Sequence, residues 1–359
     1  MKKLLALLLA LTLIVALMAG CASSTNDNQG GGTTGGDTAG DNAEDLAAQF
    51  PDKYEWSMGT TYAANDIAAQ AYQLFADLVK EKTGGQVVIN FFTDSALGGE
   101  SDTIMAVTAG DIDFAAFGMS IPILYLEQYS FINGLFIMGN QEEMLNVWNS
   151  DVFRTCRDKL ASDFNIGTLG DAIGYRGMRH YGTNQKFTNV DEFKGTIMRI
   201  NSNQNWLDTW NAVGATCVSI SLGELYTSIQ NGTVAAAEGP WTQFTGYALE
   251  EVLDYCMETA HVPDCIPVWM NQDLYNSLPE NYQQVLLDAW QEAADWINVE
   301  GYNAEKAELQ KMNDAGCELV EIDRDSFVAA AADYVSSCFD NLWKDSGTTY
   351  DEIMAIVKG

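Results

Sequence analysis

The stretch Thr196-Ile197-Met198-Arg199-Ile200 decides the fold, because this short apolar and β-branched run opens a regular alternation of strands and helices. The elements predicted after it are a helix near Trp206–Val213, a strand at Cys217–Ile220, a helix at Leu222–Gln230 and a strand at Val234–Glu238. Strands that alternate with helices indicate an α/β protein with mostly parallel sheets.

The same alternation precedes this stretch. The predicted strands there are Tyr54–Met58, Gln86–Phe92, Ile112–Phe117, Gly167–Leu169 and Tyr175–Tyr181, and the predicted helices are Ala63–Glu81, Ser101–Ala109 and Glu142–Leu160. After Pro279 a helical pattern continues to about Asn313. A helix of that length would be about 50 Å long, which is enough to span two lobes.

One helix–glycine–strand–glycine unit occurs in each half of the chain. The first copy is Ser101–Ala109, Gly110, Ile112–Phe117 and Gly118, and the second is Leu222–Asn231, Gly232, Val234–Glu238 and Gly239. Strand ends in open parallel sheets are where ligands bind, and a closing glycine lets the backbone approach a ligand closely. Unless the similarity is coincidental, each half therefore contributes the same kind of strand end to a ligand site.

The N-terminus has the three-part layout of a secretory signal: Lys2-Lys3, the apolar run Leu4–Leu17, and small residues. The run is too short to be preferred as a membrane-spanning helix. Met18-Ala19-Gly20-Cys21 resembles the lipobox of bacterial lipoproteins, in which the cysteine is acylated and becomes the new N-terminus, although Leu is usual at the position of Met18. We expect a signal peptide at residues 1–20 and lipidation of Cys21, with an ordinary secretory signal as the alternative.

Composition predicts the domain organisation that follows. Residues 21–50 are rich in Gly, Ser, Thr, Asn and acidic side chains, so we expect a flexible tether. The remaining length favours two lobes. We assign residues 51–174 and about 265–304 to lobe I, and residues 175–264 and about 305–359 to lobe II, with a ligand cleft between them.

Charge and cysteine content exclude several classes of partner. Without Lys2 and Lys3 the chain has 16 basic against 50 acidic residues, a net charge near −34 that repels nucleic acid and anionic headgroups. The six cysteines after Cys21 contain no CxxC pair, and the chain has two histidines, so a structural zinc site is not expected. These cysteines are either disulfide-bonded or free and buried. We expect no cofactor.

Arg199 is the strongest candidate for a ligand-binding residue, because it is a charged side chain inside an apolar strand. Its planar guanidinium can bind a carboxylate with two parallel hydrogen bonds. A salt-bridged or snorkelling side chain is the structural alternative. Phosphate is disfavoured because no basic cluster surrounds Arg199 and the chain is strongly acidic.

Two blocks of sequence resemble the solute receptors of tripartite ATP-independent periplasmic (TRAP) transporters of the DctP type. The first is Phe92-Thr93-Asp94-Ser95-Ala96-Leu97-Gly98-Gly99 followed by Gly110-Asp111-Ile112-Asp113. The second is Phe193-Lys194-Gly195-Thr196-Ile197-Met198-Arg199, continued by Glu224-Leu225-Tyr226-Thr227, Gln230-Asn231-Gly232-Thr233-Val234 and Glu238-Gly239-Pro240. The resemblance extends from about Tyr54 to the C-terminus and implies a two-lobed periplasmic-binding-protein fold.

The resemblance also implies site residues. Arg199 matches the family arginine that grips the ligand carboxylate, and Arg179 matches a second arginine near the ligand. Gly239 matches an asparagine that contacts ligand in the sialic-acid receptors, and Leu222 matches an aromatic residue there, which argues against sialic acid as the ligand. Trp241 offers a flat apolar face beside Gly239 instead.

The residues at the two strand ends suggest the character of the ligand. Gly118 and Gly239 leave room, while Met119 and Trp241 supply a thioether and an indole. We therefore expect a monocarboxylate with an apolar or aromatic body, bound between these four residues and the two arginines.

The function implied by the resemblance is that of an extracytoplasmic, lipid-anchored and monomeric receptor. It would close its two lobes around a small carboxylate and deliver it to a TRAP permease with a small and a large membrane subunit. Two alternatives remain: a ligand-sensing receptor for a signalling partner, and an extracellular enzyme. The sequence contains no Gly-x-Ser-x-Gly or His-Glu-x-x-His motif that would favour the enzyme.

Overall fold

Eleven strands form two sheets in residues 38–359, the part of the chain that the computed structural model describes, with side chains from residue 44 onward. The strands are β1 (Tyr54–Gly59), β2 (Val87–Phe92), β3 (Phe114–Ala115), β4 (Ile166–Thr168), β5 (Gly174–Thr183), β6 (Ile197–Ile200), β7 (Thr216–Ser219), β8 (Ala236–Gly239), β9 (Tyr255–Ile266), β10 (Trp269–Asn271) and β11 (Glu318–Leu319).

Helices connect and cover these strands, as expected for an α/β protein. They are α1 (Thr38–Gln49), α2 (Ile67–Lys82), α3 (Glu100–Ala109), α4 (Ile121–Tyr125), α5 (Gln141–Trp148), α6 (Asp151–Phe164), α7 (Val190–Phe193), α8 (Gln204–Val213), α9 (Leu225–Gln230), α10 (Trp241–Gly246), α11 (Gln272–Ser277), α12 (Glu280–Ala315), α13 (Arg324–Asp340) and α14 (Tyr350–Lys358). Short 3-10 helices occupy Glu127–Asn133, Leu222–Glu224, Leu249–Glu251 and Lys344–Ser346.

Both sheets mix parallel and antiparallel pairs. The first has the order β2-β1-β3-β10-β4, in which β1 pairs parallel with β2 and β3 while β10 runs antiparallel to β3 and β4. The second has the order β11-β9-β5-β8-β6-β7, in which β6 pairs parallel with β7 and β8 while β5 runs antiparallel to β8 and β9. The prediction of mostly parallel sheets is wrong for the antiparallel strands β5, β9 and β10.

The repeated unit of the sequence is also a repeated unit of the fold. The strand orders β2-β1-β3 and β7-β6-β8 are equivalent, and each unit has an antiparallel strand against its third member, β10 in one sheet and β5 in the other. Gly110 and Gly232 come after the helices α3 and α9, with φ values of +83° and +70°. Residues with side chains rarely adopt this left-handed conformation, so both turns favour glycine.

The long helix predicted after Pro279 is confirmed as α12, which has 36 residues and a length of about 54 Å. It packs against α2 beside the first sheet and against β5 of the second sheet. The chain passes from the first sheet to the second at β5, which begins at Gly174, and returns to the first sheet at β10, which begins at Trp269. Both positions are close to the predicted lobe boundaries at residues 174 and 265. Helix α13 packs on α8, whereas α14 packs on α5, so the C-terminal residues contact elements from both predicted lobes.

The N-terminal predictions are only partly within the described residues. The signal peptide, Cys21 and the tether up to residue 37 lie outside them. Helix α1 (Thr38–Gln49) occupies the end of the segment for which composition predicts a flexible coil, so the structure differs from the prediction there. None of the helices in the described range is long and apolar enough to cross a membrane.

The six cysteines that follow Cys21 are free thiols in the structure, and all but Cys217 are buried. The sequence left disulfides and free buried thiols as alternatives. Within the described residues the structure has free thiols and no disulfide.

The close packing of α12 on β5 gives a test of the fold. Gly301 of α12 faces the Tyr175 carbonyl oxygen, and a Cβ at this position would overlap that oxygen. We expect Gly301→Ala to lower the free energy of unfolding by about 1–3 kcal/mol, although Ala is otherwise the better helix former. Chemical denaturation measures this change.

The matched control is Gly223→Ala, because a Cβ at Gly223 has no neighbour within 4 Å. Equal stabilities of the two variants would show that α12 does not pack this closely on β5.

Candidate ligand-binding site

A cavity of about 580 Å³ lies at the carboxyl ends of the parallel strands in the two repeated units. Its volume is within the usual range for small-molecule sites. Both predicted lobes contribute to its wall, lobe I through Tyr62, Glu100, Gly118, Met119 and Ser120, and lobe II through Arg179, Arg199, Ser219, Leu222 and Gln243. The repeat therefore places a cavity where the sequence predicted one.

Arg199 is in β6 and lines this cavity with only 4% of its surface exposed. Its Nε donates a hydrogen bond to the Ile220 carbonyl oxygen at 2.8 Å. Burial lowers the pKa of Arg199 to about 10, with partial compensation from Glu238, so the guanidinium still carries its charge at neutral pH. Among the described residues, no carboxylate oxygen lies within 4 Å of the Arg199 guanidinium.

Arg179 also lines the cavity, but its charge is already neutralised. Its Nε lies 2.6 Å from Glu238 Oε2 and its Nη1 lies 2.7 Å from Asp264 Oδ2. The guanidinium also lies 4.9 Å from the ring centre of Trp206. Burial opposes the charge of Arg179, but these carboxylates more than compensate and raise its pKa.

The carboxylate of Asp264 is shared with a third arginine. Arg176 Nη1 donates to Asp264 Oδ2 at 3.2 Å, and its Nε donates to Asp66 Oδ1 at 2.9 Å. Asp66 is the N-cap residue of α2 and accepts from the Ala68 backbone N–H. The Arg176–Asp66 ion pair therefore joins α2 of lobe I to the beginning of β5. Together with Arg179, Glu238 and His261 these side chains form a continuous chain of charges, here called the buried ion network.

Glu238 and His261 complete the network beneath Arg179. Burial opposes the ionisation of Glu238, but Arg179 and His261 hold its pKa well below the usual range. His261 Nε2 lies 3.2 Å from Glu238 Oε2, and Thr259 Oγ1 lies 2.8 Å from His261 Nδ1. Burial nevertheless lowers the pKa of His261 to about 4, so the imidazole is neutral at pH 7.

Glu100 is a site residue that sequence reasoning missed. It is the first residue of α3 and lines the cavity, where Ser120 donates a hydrogen bond to its carboxyl group. Burial raises the pKa of Glu100, although that hydrogen bond opposes the rise. The Leu97-Gly98-Gly99 segment before it was the available signal, because the helix that follows starts at the cavity.

The structure brings four of the six predicted site residues to the cavity wall: Arg199, Arg179, Gly118 and Met119. A Cβ at Gly118 would lie 3.3 Å from the Cys265 carbonyl oxygen and 3.5 Å from Asp264 Oδ1. A side chain there would therefore crowd the buried ion network.

Gly239 is not on the wall, because Gln243 lies between it and the cavity. A Cβ at Gly239 would lie 2.5 Å from Gln243 Nε2, and that atom donates to the Glu238 carbonyl oxygen at 3.3 Å. Gln243 itself is buried and lines the cavity. Glycine at position 239 thus makes space for the Gln243 amide.

Trp241 is not at the cavity, and the interpretation that it offers its indole to a ligand is not supported by its position. The ring is fully buried and stacks on His180 with centroids 4.9 Å apart and an interplanar angle of 10°. On its other side it packs against Phe244 in a cluster of core residues. Trp241 is the first residue of α10, which directs its side chain into the core behind β8.

Most residues on the cavity wall have hydroxyl, amide or charged side chains, although apolar atoms contribute more of its surface than polar ones. Hydroxyl and amide side chains are contributed by Ser95, Ser101, Ser120, Asn133, Asn201, Ser202, Ser219, Ser221 and Gln243. The main apolar contributions are Tyr62, Met119, Trp206 and Leu222. The hydroxyl and amide groups supply hydrogen-bonding partners beside this apolar surface, and the sequence did not predict them. No group of three or more His, Cys, Asp or Glu side chains within the described range could hold a metal ion.

Comparison with solved structures supports the fold assignment. A TRAP periplasmic solute-binding protein from Actinobacillus succinogenes, solved with L-galactonate, is 23% identical and superimposes with a TM-score of 0.78 over 85% of this chain and 99% of that chain. A TRAP periplasmic solute-binding protein from Desulfovibrio salexigens, solved with orotic acid, is 21% identical with a TM-score of 0.77 over 85% of this chain and 100% of that chain. The two-lobed α/β fold is confirmed.

Sequence comparison gives the family. A solute-binding protein from Chromohalobacter salexigens is 25% identical over 256 residues, which cover 71% of this chain and 75% of the relative. The DctP model, which describes bacterial extracellular solute-binding proteins of family 7, matches residues 58–341. Proteins of this family are extracytoplasmic binding proteins and not enzymes. The expectation of an extracytoplasmic location and the expectation that the protein is not an enzyme are therefore confirmed. The chain therefore belongs to bacterial extracellular solute-binding protein family 7, the DctP family.

Proposed function

We propose that this protein is a receptor that captures a small hydroxylated monocarboxylate in the cavity between its lobes and delivers it to a TRAP-type permease. The observation that carries the proposal is the state of Arg199, which is buried in the cavity wall, charged, and without a carboxylate partner among the described residues. A ligand carboxylate would supply that partner.

The electrostatics distinguish Arg199 from Arg179. Arg179 would have to break its contacts with Glu238 or Asp264 to bind a ligand bidentately, and breaking a buried pair costs about 3–5 kcal/mol. Arg199 loses one hydrogen bond to a backbone carbonyl at most. We therefore assign the carboxylate to Arg199, and to Arg179 the role of holding the adjacent wall in place.

The hydroxyl and amide side chains on the cavity wall support a hydroxylated ligand body. The half-buried carboxyl group of Glu100 and the buried amide of Gln243 can each bind a ligand hydroxyl in addition to their present partners, Ser120 and the Glu238 carbonyl oxygen. The structural neighbours cited above were solved with a sugar acid and with an aromatic acid. Because Trp241 is not at the cavity, we favour the hydroxylated class over the apolar or aromatic class suggested by the sequence.

The two lobes supply the capture mechanism. The wall is divided between them, so a ligand that contacts both stabilises the closed arrangement by its differential contacts. The same proposal includes a monomeric state and a lipid anchor at Cys21. It also includes delivery of the ligand to a permease with a small and a large membrane subunit. A ligand-sensing receptor for a signalling protein would use the same cavity, and co-precipitation with a permease or with a kinase distinguishes the two.

Substitution of Arg199 tests the proposed function. A thermal-shift screen of a carboxylic-acid library identifies the acid that binds, and calorimetry then measures its affinity. Arg199→Ala should cost about 2–5 kcal/mol, or roughly 30- to several-thousand-fold in Kd, because the ligand carboxylate loses its buried partner. Arg199→Lys should recover only part of this loss, since an ammonium cannot form the two parallel bonds.

Arg154→Ala is the matched control, because Arg154 is an exposed arginine of α6 that pairs with Asp151. Its affinity should equal that of the wild type. A near-wild-type affinity in Arg199→Ala would refute the assignment of the carboxylate to Arg199.

The position of Gln243 gives a second prediction, about the ligand body. Gln243→Ala should weaken a hydroxylated acid by about 3- to 10-fold, which corresponds to one hydrogen bond, and should leave its deoxy analogue unchanged. Gly239→Ala should have the same effect, because its Cβ displaces the Gln243 amide.

Gln291→Ala is the control for this pair, because Gln291 is an exposed residue of α12 that binds Asp295 of the same helix and does not line the cavity. Its affinity should equal that of the wild type. If Gln243→Ala lowers the affinity for the hydroxylated acid and for its deoxy analogue equally, Gln243 does not form a hydrogen bond with a ligand hydroxyl.

A further inference from the structure

Two cysteines meet at the edge of the second sheet, far along the chain from each other. Cys256 is in β9, and Cys317 is between the end of α12 and β11. The register of the parallel pair β9–β11 places Leu319 opposite Cys256, and the Val320 N–H donates to the Cys256 carbonyl oxygen at 2.9 Å. The same register sets Cys317 level with Asp254, two residues before Cys256, so the two cysteines are diagonal neighbours on one face of the strand pair.

The two thiols share one buried environment. Both belong to the cluster of core residues around Phe244 and Met312, where Cys256 is 0% and Cys317 is 2% exposed. The Cys317 thiol lies 2.8 Å from the Leu253 carbonyl oxygen, three residues before Cys256. The proximity of the two thiols lowers the pKa of Cys317 and, together with burial, raises the pKa of Cys256.

The other described cysteines differ from this pair. The pKa values of Cys156, Cys217 and Cys265 are raised chiefly by burial, and no second thiol contributes to them. Of the six cysteines in the described part of the chain, Cys256 and Cys317 are the two that share the core cluster at this strand pair. Both are free thiols in the structure.

We propose that Cys256 and Cys317 are a disulfide site, oxidised in the extracytoplasmic compartment to a bond that staples β9 to the end of α12. The family is extracellular, and disulfides persist in such compartments. The bond would join two residues of lobe II and close a loop of about 60 residues that passes through lobe I, and such a cross-link stabilises a fold mainly by restricting the unfolded chain.

The chemistry is thiol–disulfide exchange with an external disulfide. The Cys317 thiolate attacks one sulfur of the donor disulfide and releases one thiol, which leaves a mixed disulfide on Cys317. The Cys256 thiolate then attacks the Cys317 sulfur and displaces the second thiol. The two cysteines are oxidised, the donor is reduced to two thiols, and the two cysteine protons end on those thiols.

The local structure provides a route for the donor. β11 has two residues, both exposed, and it pairs only with β9 at the edge of the sheet. A short edge strand opens at low cost in free energy. Its separation from β9 uncovers Cys317, which comes directly after Gly316 at the end of α12.

The experiment compares the reduced full-length chain with the same chain after incubation with oxidised glutathione. Both samples are unfolded without reductant, alkylated and mapped by mass spectrometry. We expect the Cys256 and Cys317 peptides to be joined and unalkylated only in the oxidised sample, with Cys156 and Cys265 alkylated in both. The Tm of the oxidised chain should be about 5–10 °C higher than that of the reduced chain.

Two variants separate this site from the other thiols. Cys317→Ser should abolish the oxidant-dependent rise in Tm, whereas Cys217→Ser, at a half-buried cysteine of β7, should keep it. Alkylation of both Cys256 and Cys317 after oxidation, a cross-link from Cys256 to another cysteine, or an unchanged Tm would overturn the proposal. Neither cysteine lines the ligand cavity, so this result does not depend on the proposed carboxylate.

Discussion

The buried ion network must balance every charge that folding removes from water, because an isolated buried charge costs several kcal/mol. Arg176 and Arg179 are balanced by Asp66, Asp264 and Glu238, all of them buried. The lowered pKa of His261 keeps its imidazole neutral beside them. The three carboxylates exceed the two guanidiniums by one negative charge, which favours the charged form of Arg199 from a distance. Because no carboxylate oxygen of the described residues lies within 4 Å of Arg199, its guanidinium is available to a ligand.

The repeated strand–helix unit explains how the chain places that cation opposite a second wall. Each copy ends its strands at the same cavity, so Arg199 of β6 in one lobe faces the residues that follow β3 in the other. Arg176 joins the lobes at the start of β5 by binding the N-cap carboxylate of α2. The same residue orients Asp264, so the junction between the lobes and the cavity wall share one set of charges.

The sequence was sufficient for the parts of the fold set by local patterns. The repeat, the helix after Pro279 and the burial of Arg199 follow from periodicity, turn glycines and one charged residue within an apolar strand. The direction of β5 and β9 was not predictable in this way, because strand pairing depends on contacts between residues far apart in the chain. Trp241 and Gln243 show the same limit within the site. Both residues are in α10, two positions apart, and the side chain of Gln243 reaches the cavity while that of Trp241 does not. No sequence pattern indicated how this helix is oriented.

The central claim is that Arg199 supplies the charge for the ligand while the charges of its neighbours stay paired. A crystal structure of the protein with its bound acid tests this most directly. We predict both carboxylate oxygens about 3 Å from the Arg199 guanidinium nitrogens, with the Arg179 contacts to Glu238 and Asp264 intact. A carboxylate bound to Arg179, with its pair to Glu238 broken, would contradict the account.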